Sequence, residues 1–237
     1  MKKILETLKR KWAEYLLEIF VIMIGILGAF MLNNWNETRK DLIKEQLILQ
    51  NLHKNLVFNL GELNRTQEST IKGYNALIKP EFSKHTTYEV DSLLGVIEEY
   101  FTYDPATGVI DEIINSGQLN IIQNEELKNQ VSNWSRIMTD TQKNLDIADD
   151  HLYNVLIIYL MENTNNIPRQ VYLFNLTKLP KIPPSNFSSD YKPLLTSLKF
   201  ENLVNQHAWN LIWIIHEYNN IRTYLETTIS LLENEIQ

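Results

Sequence analysis

Residues Tyr15–Trp35 read YLLEIFVIMIGILGAFMLNNW. From Tyr15 to Leu32 only Glu18 is ionisable, and the other residues are aliphatic, aromatic or small. At 1.5 Å of rise per residue, a helix of this length spans ~31 Å, about the thickness of a bilayer's hydrocarbon core. The apolar character runs all round the helix rather than along one stripe, which argues against a buried helix of a soluble protein. Trp12 and Tyr15 stand at one end and Trp35 at the other, an interfacial belt of amphipathic rings. A cleaved signal peptide needs a shorter run and a small-x-small site behind it. Here the run ends on Phe30, Met31 and Leu32, followed by Asn33-Asn34-Trp35. Residues 15–35 therefore read as an uncleaved, membrane-spanning signal anchor.

Charge sets the expected orientation. Residues 1–14 carry Lys2, Lys3, Lys9, Arg10 and Lys11, whereas Arg39, Lys40 and Lys44 beyond the span are interleaved with Glu37, Asp41 and Glu45. A Lys/Arg excess stays in the cytoplasm. The expectation is a single-pass protein of the cell inner membrane, with a basic cytoplasmic tail at 1–14 and a periplasmic domain at 36–237. Fourteen residues are too few for a cytosolic output domain, so an inward signal would need a partner.

Within the span, Glu18, Ile22, Gly25, Ala29 and Leu32 fall near one helix face, at offsets of 4, 7, 11 and 14. Gly25-x-x-x-Ala29 is a small-xxx-small pattern that lets two helices approach closely. An intramembrane carboxylate is costly and suggests function by default. The functional reading is a packing face on which Glu18 meets a partner helix or carries a proton. The plainer reading is a carboxylate that reaches the nearby interface.

The residues Glu18-Ile19, Val21, Ile24-Gly25-Ile26-Leu27, Ala29 and Asn33-Asn34-Trp35-Asn36-Glu37 resemble the N-terminal signature of a bacterial, Bacteroidetes-type domain-of-unknown-function family, number 6090. Leu17, Gly28 and Phe30 depart from that pattern. The run Ile114–Lys128, INSGQLNIIQNEELK, is similar to a second stretch of the same family, L-x-S-G-x-L-x-L-I-x-N-x-E-L-R. The resemblance implies a single-pass membrane anchor with a helical outer domain. It implies no activity.

Composition narrows the partners. Setting aside the five basic residues before position 15 and Glu6, Glu14 and Glu18 leaves 17 basic against 26 acidic residues, a net of −9. An acidic domain repels nucleic acid, so no DNA or RNA partner is expected. Cysteine is absent, which excludes disulfides and Cys-ligated metals. Seven Gly and seven Pro in 237 residues suit a mostly helical chain.

The anchor helix is expected to continue to about Lys79, since no proline intervenes before Pro80. Its stripe is Leu42, Leu49, Leu52, Leu56, Leu60 and Leu63, with His53 at the edge and Gly61 and Gly73 as places for a kink. Pro80–Thr87 reads as a loop. Thr86 or Thr87 caps a helix to about Tyr103, and Asp104-Pro105-Ala106-Thr107-Gly108 makes a turn. A short helix over Val109–Ser116 stops at Gly117, and Gln118–Gln123 reads as an extended link. The Ser116-Gly117 pair is structural, because it lacks G-x-S-x-G and follows a helix.

Asn124 caps a helix running to about Asn163. Leu127, Val131, Trp134, Met138, Thr141, Leu145, Ala148, Leu152, Val155 and Tyr159 alternate spacings of 4 and 3, the period of a coiled-coil or bundle seam. Residues 163–199 hold five of the seven prolines. In that connection Val171–Phe174 reads as a short strand or strap, and Ser188-Ser189-Asp190 starts a short helix to about Lys199. The last helix, Phe200–Glu235, repeats the seam through Val204, Ala208, Leu211, Ile215, Tyr218, Leu225, Ile229 and Leu232. Arg222 interrupts it, and Trp209, Trp213 and Ile214 widen it. The fold class is all-α: an N-terminal transmembrane helix continuing into an extracytoplasmic antiparallel bundle of long helices.

Motifs for phosphate, dinucleotide, zinc-protease or calcium chemistry are missing, as are nucleophile elbows. Asp146, Asp149, Asp150 and His151 read as a solvated acidic face rather than a metal site, and His207 and His216 are nine apart, a poor spacing for shared ligation. No catalytic residue, cofactor or metal is expected, and the chain reads as a non-enzyme. The leading function is a membrane-anchored helical interaction or scaffold module. Its partners would be the lipid bilayer and a protein, another subunit or a second copy, met through the span. One alternative is a ligand-binding sensor working through a separate transducer, favoured by a deep pocket at Trp134, Trp209 or Trp213. Another is an ion-coupled, stator-like subunit using Glu18.

Overall fold

The computed structural model describes residues 2–78, 87–98, 102–166, 183, 185–188 and 190–236. Among them every regular element is helical. The Pro80 loop, Thr86 as a cap and the Val171–Phe174 strand fall outside the described residues.

Helix α1, Lys2–Leu77, joins the apolar run to the rest of the chain without a loop. Only Lys11 leaves helical dihedrals, at φ −116° and ψ 19°, and neither Gly61 nor Gly73 does. Burial on α1 starts at Glu45 and follows Leu49, Leu52, Leu56 and Leu63. Leu42 is 46% exposed, so the leucine stripe begins one heptad later than the sequence suggests.

Helix α2, Thr87–Glu98, packs Val90, Leu94 and Ile97 against α1. It does not extend to Tyr103, which lies in the coil at 102–107. There the Asp104–Gly108 turn is clasped onto α1. Ala106 donates its N–H to Asn59 Oδ1 (2.9 Å), and its carbonyl accepts from Asn59 Nδ2 (3.1 Å). Helix α3, Gly108–Asn115, buries Ile110 and Ile113. Gly117 follows in the left-handed region at φ 77°, the conformation a side chain would strain. The link after it is a tight 3₁₀ turn, Gln118–Asn120, before the chain extends, rather than an extended strand throughout.

Helix α4, Glu125–His151, is capped by Asn124, whose Oδ1 accepts from the Leu127 N–H at 3.0 Å, with Glu125 and Glu126 in its positive first turn. It passes through a π-helical segment, Leu152–Leu156, into α5, Ile157–Asn163. The widened turn inserts one residue into the seam. Up to Leu152 the 4-3 pattern holds. Beyond it Leu156 and Leu160 are buried, in place of Val155, which is 39% exposed, and of half-buried Tyr159.

The short helix α6, Lys192–Leu195, starts where Asp190 Oδ1 accepts from the Lys192 N–H (3.1 Å). It ends before Lys199. Ser197 then caps a new helix, α7, Leu198–Glu235, through Phe200 N–H (3.4 Å). Helix α7 packs against both α1 and α4. Gln46 reaches the Glu235 carbonyl (2.9 Å), and Gln67 reaches Asn219 (2.8 Å) and Arg222, so numbers rise along α1 as they fall along α7. The same sense relates α4 to α7. Tyr224 donates to the Gln130 carbonyl, and Asn144 meets Glu217 (3.2 Å).

The buried line on α7 is Val204, His207, Leu211, Ile214, Tyr218, Ile221, Leu225, Thr228 and Leu232. Compared with the seam read from sequence, alternate positions move back by one, from Ala208 to His207 and from Ile215 to Ile214. This phase explains Arg222, since Ile221 takes the core position and the guanidinium moves to the rim. The same rotation turns Trp209 and Trp213 outward, each 59% exposed, so they do not widen the core as expected.

Candidate functional site

Three regions carry the residues that the sequence singled out. The first is the apolar run of α1. Every residue from Trp12 to Leu32 except Gly28 is exposed, and the helix is long and apolar enough to cross a membrane. At ~100° per residue, Glu18, Ile22, Gly25, Ala29 and Leu32 fall within an arc of ~80°. A Cβ placed on Gly25 would meet nothing within 4 Å, so no described part of the chain packs on this face. Trp12 (61%), Tyr15 (40%) and Trp35 (64%) are also open, and Trp12 and Trp35 stand ~35 Å apart along the axis. Past the apolar run the helix satisfies its own polar groups. Asn33 Nδ2 donates to Glu37 (3.2 Å), and Thr38 Oγ1 donates to the Asn34 carbonyl (2.9 Å).

The second region lies ten residues beyond Trp35. Glu45, 8% exposed, accepts the Gln123 N–H at 2.5 Å. Next to it, Asn124 caps α4 with Oδ1 and donates through Nδ2 to Glu235 (2.7 Å). Sequence reasoning missed Glu45. The signal was there, because stepping back from Leu56, Leu52 and Leu49 by the same 3-4 rhythm reaches Glu45, a carboxylate on an apolar stripe. Glu45 of α1 thus holds the second signature stretch, at the link that follows Gly117, eight residues past the end of the first.

A family model now bears on this arrangement. The family of unknown function DUF6090 matches residues 18–164. The chain belongs to the DUF6090 family. The match takes in the span from Glu18, the Gly117–Asn124 link and all of α4, and it ends before α6 and α7. No curated protein and no solved structure matches the chain.

The third region is the polar content of the DUF6090 protein's interior and rim. His207 is 0% exposed, neither ring nitrogen has a hydrogen-bond partner, and its ring stacks on His151 at 6.1 Å. Burial first, and then the neighbouring His151, hold the His207 imidazole down at about 4, with the nearby Ile97 carbonyl pulling weakly the other way. His151 makes a 3.0 Å contact with the Leu203 carbonyl. Tyr218 is pushed above the usual phenol range chiefly by burial, and its oxygen accepts the Tyr103 N–H (3.1 Å).

The acidic residues near His151 do not converge. Asp146 accepts from Gln142 (2.7 Å) and Asp150 from Asn154 (2.8 Å), while Asp149 is raised by burial and then by Asp146. Among the described residues no group of three metal-ligating side chains comes together. The three tryptophans named as candidates for lining a pocket do not share one. Trp134 is 1% exposed and packs on Tyr224, whereas Trp209 and Trp213 line a surface groove between α4 and α7.

Proposed function

We propose that this DUF6090 protein is a single-pass inner-membrane protein with a non-catalytic helical module outside. In this reading residues 1–14 are cytoplasmic, 15–35 span the bilayer, and 36–237 form a periplasmic antiparallel bundle. The observation that carries it is the change in burial along one unbroken helix. Apolar side chains lie open on all sides through Leu32, and one-sided burial begins at Glu45. In water such a run would be strongly unfavourable, at ~25 cal/mol per Å² of apolar surface left wet, whereas lipid tails solvate it on every side.

The interaction surface of the module is the Glu18, Ile22, Gly25, Ala29 and Leu32 face, met by a second span from another subunit or another copy. Disulfide trapping tests this. With Cys placed singly along 18–32 in native membranes, trapping is expected to peak at 22, 25, 29 and 32, and Gly25→Leu should abolish it. Release of the chain by alkaline washing, or trapping with no helical period, would overturn the proposal.

A ligand-sensing role through a separate transducer is the second reading, and the Trp209–Trp213 groove is the observation in its favour. An ion-coupled role rests on Glu18 alone, and unchanged proton flux with Glu18→Gln would end it.

A further inference from the structure

Two large aromatic rings stand open on α7, far from the anchor. Trp209 and Trp213 are four residues apart, so they share one helix face with ~5–6 Å between their Cβ atoms. Each is 59% exposed, and Ile147, 62% exposed, faces them from α4. His216 meets the Trp213 ring edge-on at 6.2 Å and orients it. Large aromatic rings left open side by side and rimmed by polar groups are a feature of interaction sites. Trp209, Trp213 and Ile147 line a groove of about 410 Å³, within the range of small-ligand sites.

The groove cannot be serving the bilayer. Gly73 of α1 lies beside Leu211, between the two tryptophans in sequence. Position 73 is 38 residues past Trp35, which places the rings ~57 Å along the helix from the interfacial belt.

The polar lining narrows the ligand. Asn144, Gln206, Asn210 and Glu217 line the groove, and among the described residues no Lys or Arg does. A described lining without a cation, and with the Glu217 carboxylate in it, makes phosphates and carboxylates poor ligands. Asn210 is 8% exposed. Its Oδ1 accepts from Gln206 (3.0 Å), and its Nδ2 has no partner. Swapping the oxygen and nitrogen of both amides leaves the other Asn210 atom unpaired, so one polar atom is in surplus either way. A buried amide without a partner is a cost that a ligand can relieve. A Lys or Arg side chain brings only donors, so it meets the surplus atom only where that atom is the oxygen. A hydroxyl both accepts and donates. Gln206 is exposed, so a ligand hydroxyl can replace it on Asn210, turn the amide outward and satisfy both of its atoms. Another hydroxyl can donate to Glu217, whose Oε1 already takes the Asn144 amide (3.2 Å). The apolar ring faces then require a ligand with flat C–H surface beside its hydroxyls.

We propose that the α4–α7 groove is a saccharide-binding site, in which Trp209 and Trp213 form a stacking platform for successive pyranose rings. Asn210 and Glu217 hydrogen-bond their hydroxyls. The α7 side of the site lies outside the family match and its α4 side, Asn144 and Ile147, lies within it; the proposal is tested separately from the membrane topology, because binding is read on the purified chain.

The test is tryptophan fluorescence and calorimetry on the full chain in lipid nanodiscs, which avoid sugar-headed detergents. The probes are chitotetraose, maltotetraose and mannotetraose. At least one is expected to give a saturable blue shift. Trp209→Ala and Trp213→Ala should each weaken binding ~10-fold, about one aromatic contact. Trp213→Tyr should restore much of it, and Trp35→Ala should leave it unchanged. Circular dichroism confirms folding of each variant. Absence of saturable binding by all three glycans, or binding indifferent to both groove tryptophans, would overturn the proposal. So would a tetralysine peptide that binds at Trp213 when no glycan does.

Discussion

Acid should loosen the bundle through one side chain, His207. Its ring is 0% exposed, neither nitrogen is hydrogen-bonded, and His151 stacks on it at 6.1 Å. In the unfolded chain this imidazole takes its proton near 6.5; inside the fold it does so only at about 4. Between those values the unfolded state binds more protons, so stability rises with pH. The contribution is intact above pH 6.5 and drains away as the pH falls toward 4. Linkage between the two values gives a loss of ~2 kcal/mol from pH 7.5 to 5.0, with a slope approaching ~1.4 kcal/mol per pH unit. His207→Leu removes the titrating group and keeps an apolar side chain of similar size. Urea unfolding of the nanodisc-embedded chain, followed by circular dichroism at both pH values, measures the difference. The leucine variant should lose ~2 kcal/mol less than the parent over that interval. Its stability at pH 7.5 should be little changed or higher, since no hydrogen bond is removed. An equal fall in both proteins would refute the reasoning, because the acid sensitivity would then lie elsewhere.

The π-helical turn makes a sharp prediction about register: Leu156→Ala should cost ~2–5 kcal/mol, whereas Val155→Ala should stay within ~0.5. Equal costs in thermal melts would contradict the shifted seam. Glu45→Ala should strand the Gln123 N–H, at ~1–3 kcal/mol. Faster hydrogen exchange at the Gln123 amide is the expected reading, and unchanged protection there would show that Glu45 does not hold the link.

The long elements and the apolar span were legible in the sequence because each follows one rule over many residues. The helix start at Asn124 and the stop at Gly117 were legible because capping and left-handed geometry are local. What misled was phase. On α7 both Ala208 and His207 fit a 4-3 rhythm, and preferring the apolar residue chose the wrong one. Arg222, taken as an interruption, was the clue that the register sat one residue back. The outward Trp209 and Trp213 follow from that choice. On α4 no residue announces the π turn, because each local spacing stays helical and only the phase shifts by one residue. Glu45 was hidden for the opposite reason: a charge in a stripe looks like solvent until the buried N–H opposite it is known. The break before α7 was read at Lys199–Phe200, two residues late, although Ser197 is a good cap.

The unbroken helix from Trp12 to Leu77 makes the chain a lever. With the apolar end seated in a bilayer as proposed, Leu77 stands ~63 Å beyond Trp35. A lean of ~20°, ordinary for a lone span, swings that far end sideways by ~21 Å. Local membrane thickness would then set where the outer helices reach, and a few ångströms of thinning at one end would become tens at the other.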